Sequence, residues 1–313
     1  MELIRDDIDL TAYMTEQPQE HRVLAASDWL QDVADFYHKP DTSPKVRMGW
    51  LRTQGDFAFR DAEVTLWAGI NGHGKSQLVG QVALDLMVQN QRVCIASLEM
   101  RPTRVMARMS RQAFGDDLPS QTFLKTFHDW SDGRLWLYDH VGSSNPKTML
   151  AVIRYARDKF GIQHFVVDNL AKVIAGEDSY NEQKDFVNSL CVVAQDTGVH
   201  IHLVLHMKKG RTEDDVPGKF DIKGSGAISD LVENVFIVWR NKKKEGDMRM
   251  GGGDSVATDP DCVLLLTKQR NGETEGRYPL YFDHRSLQYI EAHNDFPKQY
   301  KVERKITFEE IEF

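Results

Sequence analysis

The stretch GINGHGKS, from Gly69 to Ser76, fits the phosphate-binding pattern G-x-x-x-x-G-K-[ST] without a mismatch. Residues 63–68 before it (EVTLWA) predict a strand, and apolar residues recur at helical spacing over residues 78–87 after it. This motif needs a strand, a glycine-rich turn and a helix, so both flanks agree with it. The sequence therefore predicts a nucleotide-binding loop rather than a chance glycine-rich turn.

The residue types of this loop suit a nucleoside triphosphate. Its glycines let the backbone bend so that consecutive N–H groups point at phosphate oxygens, and the helix N-terminus favours an anion. Lys75 can reach the β- and γ-phosphates, and the hydroxyl of Ser76 can ligate Mg²⁺. The predicted nucleotide-binding residues of the loop are Gly69, Asn71, Gly72, His73, Gly74, Lys75, Ser76 and Gln77.

The composition is that of a globular protein without a general affinity for nucleic acid. The 313 residues are 41% hydrophobic and 27% charged, and the formal net charge is −8. Any nucleic-acid contact must therefore come from local basic loops. The three cysteines are far apart, which supports neither a zinc module nor a disulfide framework. An acidic N-terminus and the lack of any apolar run of about 18 residues predict an intracellular protein with no membrane contact.

Strands alternate with helices from about residue 45 to residue 293, which predicts an α/β fold with a mostly parallel, doubly wound sheet. The predicted strands are 63–68, 92–98, 135–139, 164–168, 200–206, 235–239 and 263–267. Helices are predicted over 102–114, 145–159 and 180–197. Residues 208–223 and 241–261 are predicted to be exposed loops, the second of them a mobile excursion between two strands.

Residues 1–45 lack this alternation and are predicted to form an N-terminal arm. Within them, residues 25–37 predict an amphipathic helix. It would pack on this subunit or on a neighbour, although a core helix of the same domain explains the pattern equally well. Its apolar stripe consists of Trp29, Leu30, Val33, Phe36 and Tyr37.

Three polar residues stand at the ends of predicted strands. Asp168 ends an apolar run, as a Walker B acid that holds Mg²⁺ does, although an aspartate there could also cap a turn. Glu99 follows the strand 92–98 and could polarise an attacking water, or be an exposed turn acid. His206 could sense a γ-phosphate at the same edge or be a solvated strand-end histidine, whereas His202 is predicted to be a core residue.

Basic residues cluster after two of the strands. Residues 208–223 contain five basic and four acidic residues, a net charge of +1 that is usual for a solvated loop. The segment 223–226 (KGSG) is more informative, because two glycines allow a backbone to approach a phosphate closely. Lys268 and Arg270 end the last predicted strand, from which an arginine could reach a neighbouring subunit's nucleotide.

Taken together, these segments resemble the RecA-like motor domain of hexameric replicative helicases. The resemblance is greatest to the branch of phage helicase-primases and mitochondrial Twinkle, with DnaB more distant. It covers roughly residues 45–293, and SLEM and KGSGA are fairly specific for this group among P-loop ATPases. In chain order the segments are GINGHGKS (69–76), SLEM (97–100), VVDN (166–169), LHMK (205–208), KGSGAI (223–228) and KQR (268–270).

The resemblance implies a homo-hexameric ring that hydrolyses ATP with Mg²⁺ at its subunit interfaces and moves 5′ to 3′ on single-stranded DNA. It gives Glu99 the role of catalytic base and Asp168 that of Walker B acid. His206 becomes the γ-phosphate sensor, and Arg270 a finger acting in trans with Lys268 beside it on the phosphates. The residues implied to grip DNA inside the ring are Lys208, Lys209, Arg211, Lys223, Gly224, Ser225 and Gly226.

Two other functions fit parts of the sequence. A recombinase-like filament or a clock-type ATPase ring shares the RecA core, but SLEM and KGSGA argue against it. A P-loop kinase of small molecules would need an arginine-bearing lid, whereas the excursion at 241–261 is rich in lysine and glycine.

The ends of the chain suggest further partners. Without zinc-binding cysteines or a primase-sized N-terminal region, primer synthesis is not expected of this chain. Residues 294–313 are predicted to be a tail whose acidic end, FEEIEF, could dock onto a polymerase or primase, as the N-terminal arm also could. A final strand or a frayed terminus is the simpler interpretation of that end.

Overall fold

The computed structural model describes residues 3–5, 7–14, 25–39, 45–176, 179–207, 216–217, 226–251 and 253–302. Among these residues, ten strands form one sheet. They are β1 (Leu3–Arg5), β2 (Val64–Gly69), β3 (Val93–Ser97), β4 (Leu135–Asp139), β5 (His164–Asp168), β6 (His200–His206), β7 (Asn234–Arg240), β8 (Cys262–Gln269), β9 (Gly276–Asp283) and β10 (Gln288–Ile290). Their order across the sheet is β1-β4-β3-β5-β6-β2-β7-β8-β9-β10.

The helices pack on both faces of this sheet, so that one hydrophobic core lies on each side. Helices α3, α4 and α5 contribute to one core, and α6 and α8 to the other. The helices are α1 (Thr11–Met14), α2 (Leu30–His38), α3 (Lys75–Val88), α4 (Pro102–Phe114), α5 (Gln121–Ser131), α6 (Pro146–Phe160), α7 (Leu170–Val173), α8 (Tyr180–Thr197), α9 (Gly226–Leu231), α10 (Lys242–Arg249) and α11 (Asp254–Ala257), with 3₁₀ turns at Ala26–Trp29 and Leu51–Thr53. None of the described helices is long and apolar enough to cross a membrane.

The predicted mostly parallel, doubly wound sheet is confirmed. Strands β1 to β7 pair in parallel, and β8, β9 and β10 add an antiparallel extension beyond β7. The register pairs Ser97 with Asp168 and Gly69 with His206. The carboxyl ends of β3, β5, β6 and β2 therefore meet at one sheet edge, where ligands bind in open α/β sheets.

The segment 241–261 is not the loop that the sequence predicted. It contains α10 and α11, and the side chain of Asn241 caps α10 by accepting a hydrogen bond from the amide of Lys244. The ammonium group of Lys244 is buried and lies 2.7 Å from the carboxylate of Asp261. Composition suggested a mobile loop, but the ion pair of this buried lysine with Asp261 fixes α10 against the start of β8.

The predicted N-terminal arm is divided in the structure. Strand β1 extends the sheet beside β4, and the hydroxyl of Tyr13 donates a hydrogen bond to Asp158 on α6 at 2.5 Å. In contrast, α2 buries none of its residues, so the interpretation of residues 25–37 as a core helix is wrong. The exposed fractions of its apolar stripe are 50% for Trp29, 74% for Leu30, 50% for Val33, 81% for Phe36 and 74% for Tyr37.

Residues 294–302, predicted to be part of a tail, pack against α3. Asp85 on that helix is almost completely buried, and its carboxylate binds the Lys298 ammonium at 2.8 Å and the Tyr300 hydroxyl at 2.9 Å. The same carboxylate accepts the amide of Gly49 at 2.9 Å. A single buried charge thus joins the segment before β2, the helix that follows the phosphate-binding loop and the C-terminal segment.

Three histidines form a buried cluster near the amino ends of β5 and β6. His164 Nδ1 and His202 Nε2 are 3.2 Å apart, and His200 Nε2 lies 2.9 Å from the Thr65 hydroxyl. All three rings are at most 2% exposed, which confirms that His202 is a core residue. Burial lowers the pKa of His200 to about 4, and burial and the neighbouring rings lower the pKa of His164 and His202 well below the usual value.

We expect this cluster to make the protein sensitive to mild acid. Below the unfolded-state pKa of about 6.5 the unfolded chain binds protons that the folded cluster rejects, so the free energy of unfolding falls as the pH falls. The loss is about 1.4 kcal/mol per pH unit for each histidine, between pH 6.5 and the lowered folded pKa. Urea unfolding from pH 7.5 to pH 4.5 measures it. His200→Gln, which does not titrate, should reduce the pH dependence, and an unchanged slope would contradict the interpretation.

Candidate nucleotide-binding site

The phosphate-binding loop joins the end of β2 to the start of α3. Gly72 and Gly74 have φ angles of +81° and +83°, which are strained for any residue with a Cβ atom. A Cβ atom on Gly69 would lie 2.5 Å from the carbonyl oxygen of Val238, and one on Gly74 would overlap the hydroxyl of Tyr289. The glycines are therefore required both by the turn and by two neighbouring strands, β7 and β10.

Lys75, the first residue of α3, is held inside the loop. Its ammonium group donates hydrogen bonds to the carbonyl oxygens of Gly69 at 2.8 Å and Ile70 at 2.9 Å. Burial lowers its pKa to about 8, an effect that the negative charges of Asp168 and Glu99 oppose. A cation buried this way in a low-dielectric cleft is strongly attracted to phosphate oxygens.

Asp168, the last residue of β5, is buried beside Ser76, which lines the cleft. Burial raises the pKa of its carboxyl group, while a hydrogen bond from the Ser76 side chain and the charge of Arg108 oppose that rise. Its Oδ1 atom is buried and has no hydrogen-bond partner among the described residues. A hydroxyl and an unpaired carboxylate oxygen side by side are ligands of the kind that Mg²⁺ prefers, so this pair fits the predicted metal site.

Glu99, Asn169 and His206 form a hydrogen-bonded group at the same edge. The amide nitrogen of Asn169 lies 2.8 Å from Glu99 Oε1 and 2.8 Å from His206 Nε2. Glu99 and His206 are themselves 3.9 Å apart. The three side chains come from the ends of three strands, β3, β5 and β6, and the parallel register brings them together.

A cleft of about 300 Å³ is lined by six of the eight predicted loop residues, together with Glu99 and His206. His73 is an exception, because its ring is completely buried and its Nδ1 accepts the amide of Arg240 at 3.1 Å. Its side chain therefore does not line the cleft, and the predicted contribution of His73 to nucleotide binding stays a prediction for the loop backbone. The residues that line the cleft are Asn71, Gly72, Gly74, Lys75, Ser76, Gln77, Glu99, Met100, Arg108, His206, Arg240, Glu245, Asp261, Phe282, His284 and Tyr289.

Several of these residues were missed by the sequence analysis. Arg108 reaches the cleft from α4, and its guanidinium, whose pKa is lowered by burial, interacts electrostatically with Asp168. Arg240 pairs with Glu245 of α10 and lies 3.4 Å from the carbonyl oxygen of Gly72. Neither position belongs to a motif, so only the fold reveals them. The position of Asn169 directly after Asp168 was the one available signal for a role of that residue.

Lys268 and Arg270 are not near the phosphate-binding loop of their own chain. The ammonium group of Lys268 donates hydrogen bonds to the carbonyl oxygens of Ser229, Asp230 and Val232. The guanidinium of Arg270 pairs with Glu233 at 3.0 Å. Because β8 is antiparallel to β7, its last residues lie at the amino ends of β2 and β7, at the sheet edge opposite the cleft.

The predicted DNA-binding residues fall almost entirely outside the described part of the chain. This applies to Lys208, Lys209, Arg211, Lys223, Gly224 and Ser225, while Gly226 is the first residue of α9. The described ends of this segment are Met207, directly after β6, and the start of α9.

The fold and the cleft agree with the comparison to known families. Residues 53–291 match the DnaB-like helicase C terminal domain family. The chain belongs to this family. It is also 26% identical over 217 residues to a DNA helicase/primase of Enterobacteria phage T3, a match that covers 60% of this chain and 37% of the relative. The chain thus spans little more than a third of that relative's length.

Solved structures show the same RecA-like fold as this DnaB-like domain. One solved ATPase domain has a TM-score of 0.70 and 16% identity, and the match covers 86% of this chain and 99% of that one. A DnaB-like replicative helicase studied with its primase interactions also has a TM-score of 0.70 and 16% identity, covering 85% of this chain and 68% of that one. Membership of the family implies that the cleft binds a nucleotide.

We expect Gly74→Ala to weaken nucleotide binding more than Gly72→Ala does. Both glycines have a positive φ, but no atom lies within 4 Å of a Cβ atom on Gly72, whereas one on Gly74 overlaps Tyr289. Each variant carries a backbone cost of about 1–2 kcal/mol, and Gly74→Ala adds the steric overlap. Titration with a fluorescent nucleotide measures the dissociation constants.

The hydroxyl of Tyr289 provides the control for that comparison. Tyr289→Phe in the Gly74→Ala background removes the overlapping oxygen and should recover part of the lost affinity, relative to Tyr289→Phe alone. Equal affinities for the two alanine variants, with no recovery, would contradict the steric explanation.

Proposed function

We propose that this chain is the motor of a ring-forming, ATP-dependent helicase that moves along single-stranded DNA. The observation that carries the proposal is the placement of charge on the sheet. The phosphate-binding loop, Glu99 and Asp168 lie at one edge, and Arg270 lies at the opposite edge. A subunit built this way would carry the two halves of a hydrolysis site on different sides.

In the proposed reaction the cleft binds a nucleoside triphosphate, ATP or another. Lys75 would bind the β- and γ-phosphates and, with Arg108, offset their charge. Ser76 and Asp168 would hold Mg²⁺, which neutralises charge on the phosphate oxygens when it is bound. Glu99 would accept a proton from the attacking water, because its carboxylate stands at the mouth of the cleft and 44% of its side chain is exposed. His206 would detect the γ-phosphate.

The second half of the site would come from the next subunit of a homo-hexamer. Arg270 would stabilise the charge that develops on the phosphates, with Lys268 beside it. The carbonyl oxygens of residues 229–232 and the carboxylate of Glu233 hold both side chains in place. Their position at the opposite edge is what a trans-acting role requires, since they cannot bend back to Lys75.

The DNA-binding part of the proposal concerns the segment between β6 and α9. His206 ends β6 and directly precedes this segment, so a movement of the proposed sensor would be passed to it. Lys208, Lys209, Arg211 and residues 223–226 would grip the phosphate backbone without reading sequence, which makes binding sensitive to salt. The proposed direction of movement of the chain along the DNA strand is from the 5′ to the 3′ end.

The wider organisation is proposed on the same basis. Residues 46–293 would be the motor, residues 1–45 an arm that contacts a neighbouring subunit, and residues 294–313 a tail. The exposed stripe of α2 suits such an arm, whereas β1 belongs with the motor's sheet. A relative is a phage helicase/primase and a solved relative interacts with primase, so a primase or polymerase is the proposed partner during phage DNA replication in the host cell.

We expect single-stranded DNA to stimulate nucleotide hydrolysis and the chain to separate a forked duplex. Stimulation follows because the DNA-binding segment and the proposed sensor are adjacent in the chain. Sizing with Mg²⁺, nucleotide and DNA should give a hexamer, and Lys75→Ala should lack hydrolysis. A nucleotide-bound monomer whose turnover ignores DNA, or phosphate transfer to a small molecule, would contradict the proposal.

We expect two inactive variants to restore each other's activity when they are mixed. Lys75→Ala lacks a working phosphate-binding loop and Arg270→Ala lacks the finger, but an interface can receive the loop from one and the finger from the other. With random assembly at equal amounts, about a quarter of the interfaces would be complete. DNA-stimulated phosphate release measures the recovery.

The mixing experiment contains its own control for folding. Recovered activity shows that both variants fold and assemble, even though Arg270→Ala removes a partner of the buried Glu233. Mixing Lys75→Ala with Glu99→Gln, which both damage the same half of the site, should recover nothing. No recovery with Arg270→Ala in rings of normal size would contradict a role in trans.

A further inference from the structure

Asn169 occupies a position between the two residues that act on the γ-phosphate end of the proposed site. Its side chain is 1% exposed, and its amide nitrogen is 2.8 Å from both Glu99 Oε1 and His206 Nε2. The amide group has two N–H bonds, one for each acceptor. A single planar group therefore links a carboxylate on β3 to an imidazole on β6.

The chemistry of the neighbours fixes which way the amide faces. An ionised carboxylate can only accept hydrogen bonds, so the atom of Asn169 that faces Glu99 must be the NH₂ group. With the nitrogen there, the Oδ1 atom is buried and has no partner among the described residues. A buried, unpaired carbonyl oxygen is unfavourable, because it has lost its hydrogen bonds to water. Its presence indicates that the two acceptors, rather than the oxygen, determine the orientation.

Glu99 depends on this contact for its position. Its carboxylate is partly exposed, on a flexible side chain, and Asn169 is the one hydrogen-bond donor to it among the described residues. A general base has to be held within hydrogen-bond distance of the water that it deprotonates. Without the amide, the carboxylate would be free to sample other rotamers and turn toward solvent.

The same contact sets the tautomer of the neutral His206 ring. Because Nε2 accepts the hydrogen bond from Asn169, the proton of the neutral ring is on Nδ1. Asn169 thus lies between the ring and the carboxylate, whose Nε2 and Oε1 atoms are 3.9 Å apart.

We propose that Asn169 is a positioning residue that couples His206 to Glu99. This inference rests on the proposed function and adds a link between its sensor and its base. When the ring of His206 turns toward or away from the γ-phosphate, the amide loses or regains one acceptor, and the carboxylate held by its other N–H moves with it. In this way the presence or absence of the γ-phosphate at His206 changes the position of Glu99 through two hydrogen bonds.

The kinetic test separates hydrogen bonding from packing. Asn169→Ala removes both the bulk and the donors, whereas Asn169→Leu keeps four side-chain heavy atoms branched at Cγ but has no donors. We expect both variants to lower kcat by about 10²-fold while KM changes by less than about threefold, because the loss concerns the base and not nucleotide binding. Recovery of kcat by leucine would assign the effect to packing and overturn the proposal.

A double-mutant cycle tests the coupling itself. If Asn169 acts with His206, the double variant Asn169→Ala/His206→Ala should have a kcat close to that of the more damaged single variant. Independent, multiplicative losses would overturn the proposal. Melting temperatures and nucleotide dissociation constants near those of the unsubstituted chain show that each variant is folded.

A spectroscopic measurement tests the contact without any catalysis. In protein with ¹⁵N-labelled histidine, the signals of His206 are those that disappear in His206→Ala. We expect an unprotonated Nε2 and a protonated Nδ1, and in Asn169→Ala a shift toward the other tautomer. A tautomer unaffected by Asn169→Ala would overturn the proposal, even if hydrolysis is normal. A shifted tautomer in a chain without DNA-stimulated hydrolysis would instead support the contact and refute the proposed function.

Discussion

The cleft exists because four neighbouring strands run parallel and end at the same sheet edge. Parallel pairing requires a crossover between each two strands, so residues far apart in the chain meet where the strands stop. The register pairs Ser97 with Asp168 and Gly69 with His206, and so fixes which residues are neighbours at the strand ends. A shift of one residue in β5 would turn Asp168 to the other face and separate Ser76 from its carboxylate.

The cleft is lined and backed by charges that burial makes unfavourable in isolation. Burial lowers the pKa of Lys75 and raises that of Asp168, and each charge reduces the effect of burial on the other. The unpaired Oδ1 of Asp168 and Nε of Arg108 remain buried within the described residues. Such groups cost stability, and a phosphate with its cation is a ligand that would satisfy them. The buried Asp85 shows the contrasting case, because its carboxylate is satisfied by groups of the protein itself.

The sequence predicted the parts of the structure that a local pattern determines. The boundaries of α4, β5 and β6 agree with the apolar periodicity, and the glycine pattern located the phosphate-binding loop. What it missed depends on contacts across the fold. The helix α10 is polar in composition and is fixed by the ion pair between the buried Lys244 and Asp261. Arg108 reaches the cleft only through the packing of α4, and Asn169 reaches Glu99 only through the register of β5. A loop pattern also does not tell which side chains turn inward, as the buried ring of His73 does.

The opposite placement of Lys75 and Arg270 has a consequence for symmetry. A two-fold dimer joins identical patches, so it cannot bring the loop edge of one copy to the finger edge of another at a single contact. Copies that complete each other's sites must instead join head to tail, and such a chain either closes on itself or grows as a helix. If Arg270 acts in trans as proposed, every copy in a closed ring both gives and receives a finger. The number of working sites then equals the number of copies. In an open arrangement, by contrast, the site of the terminal copy always stays incomplete.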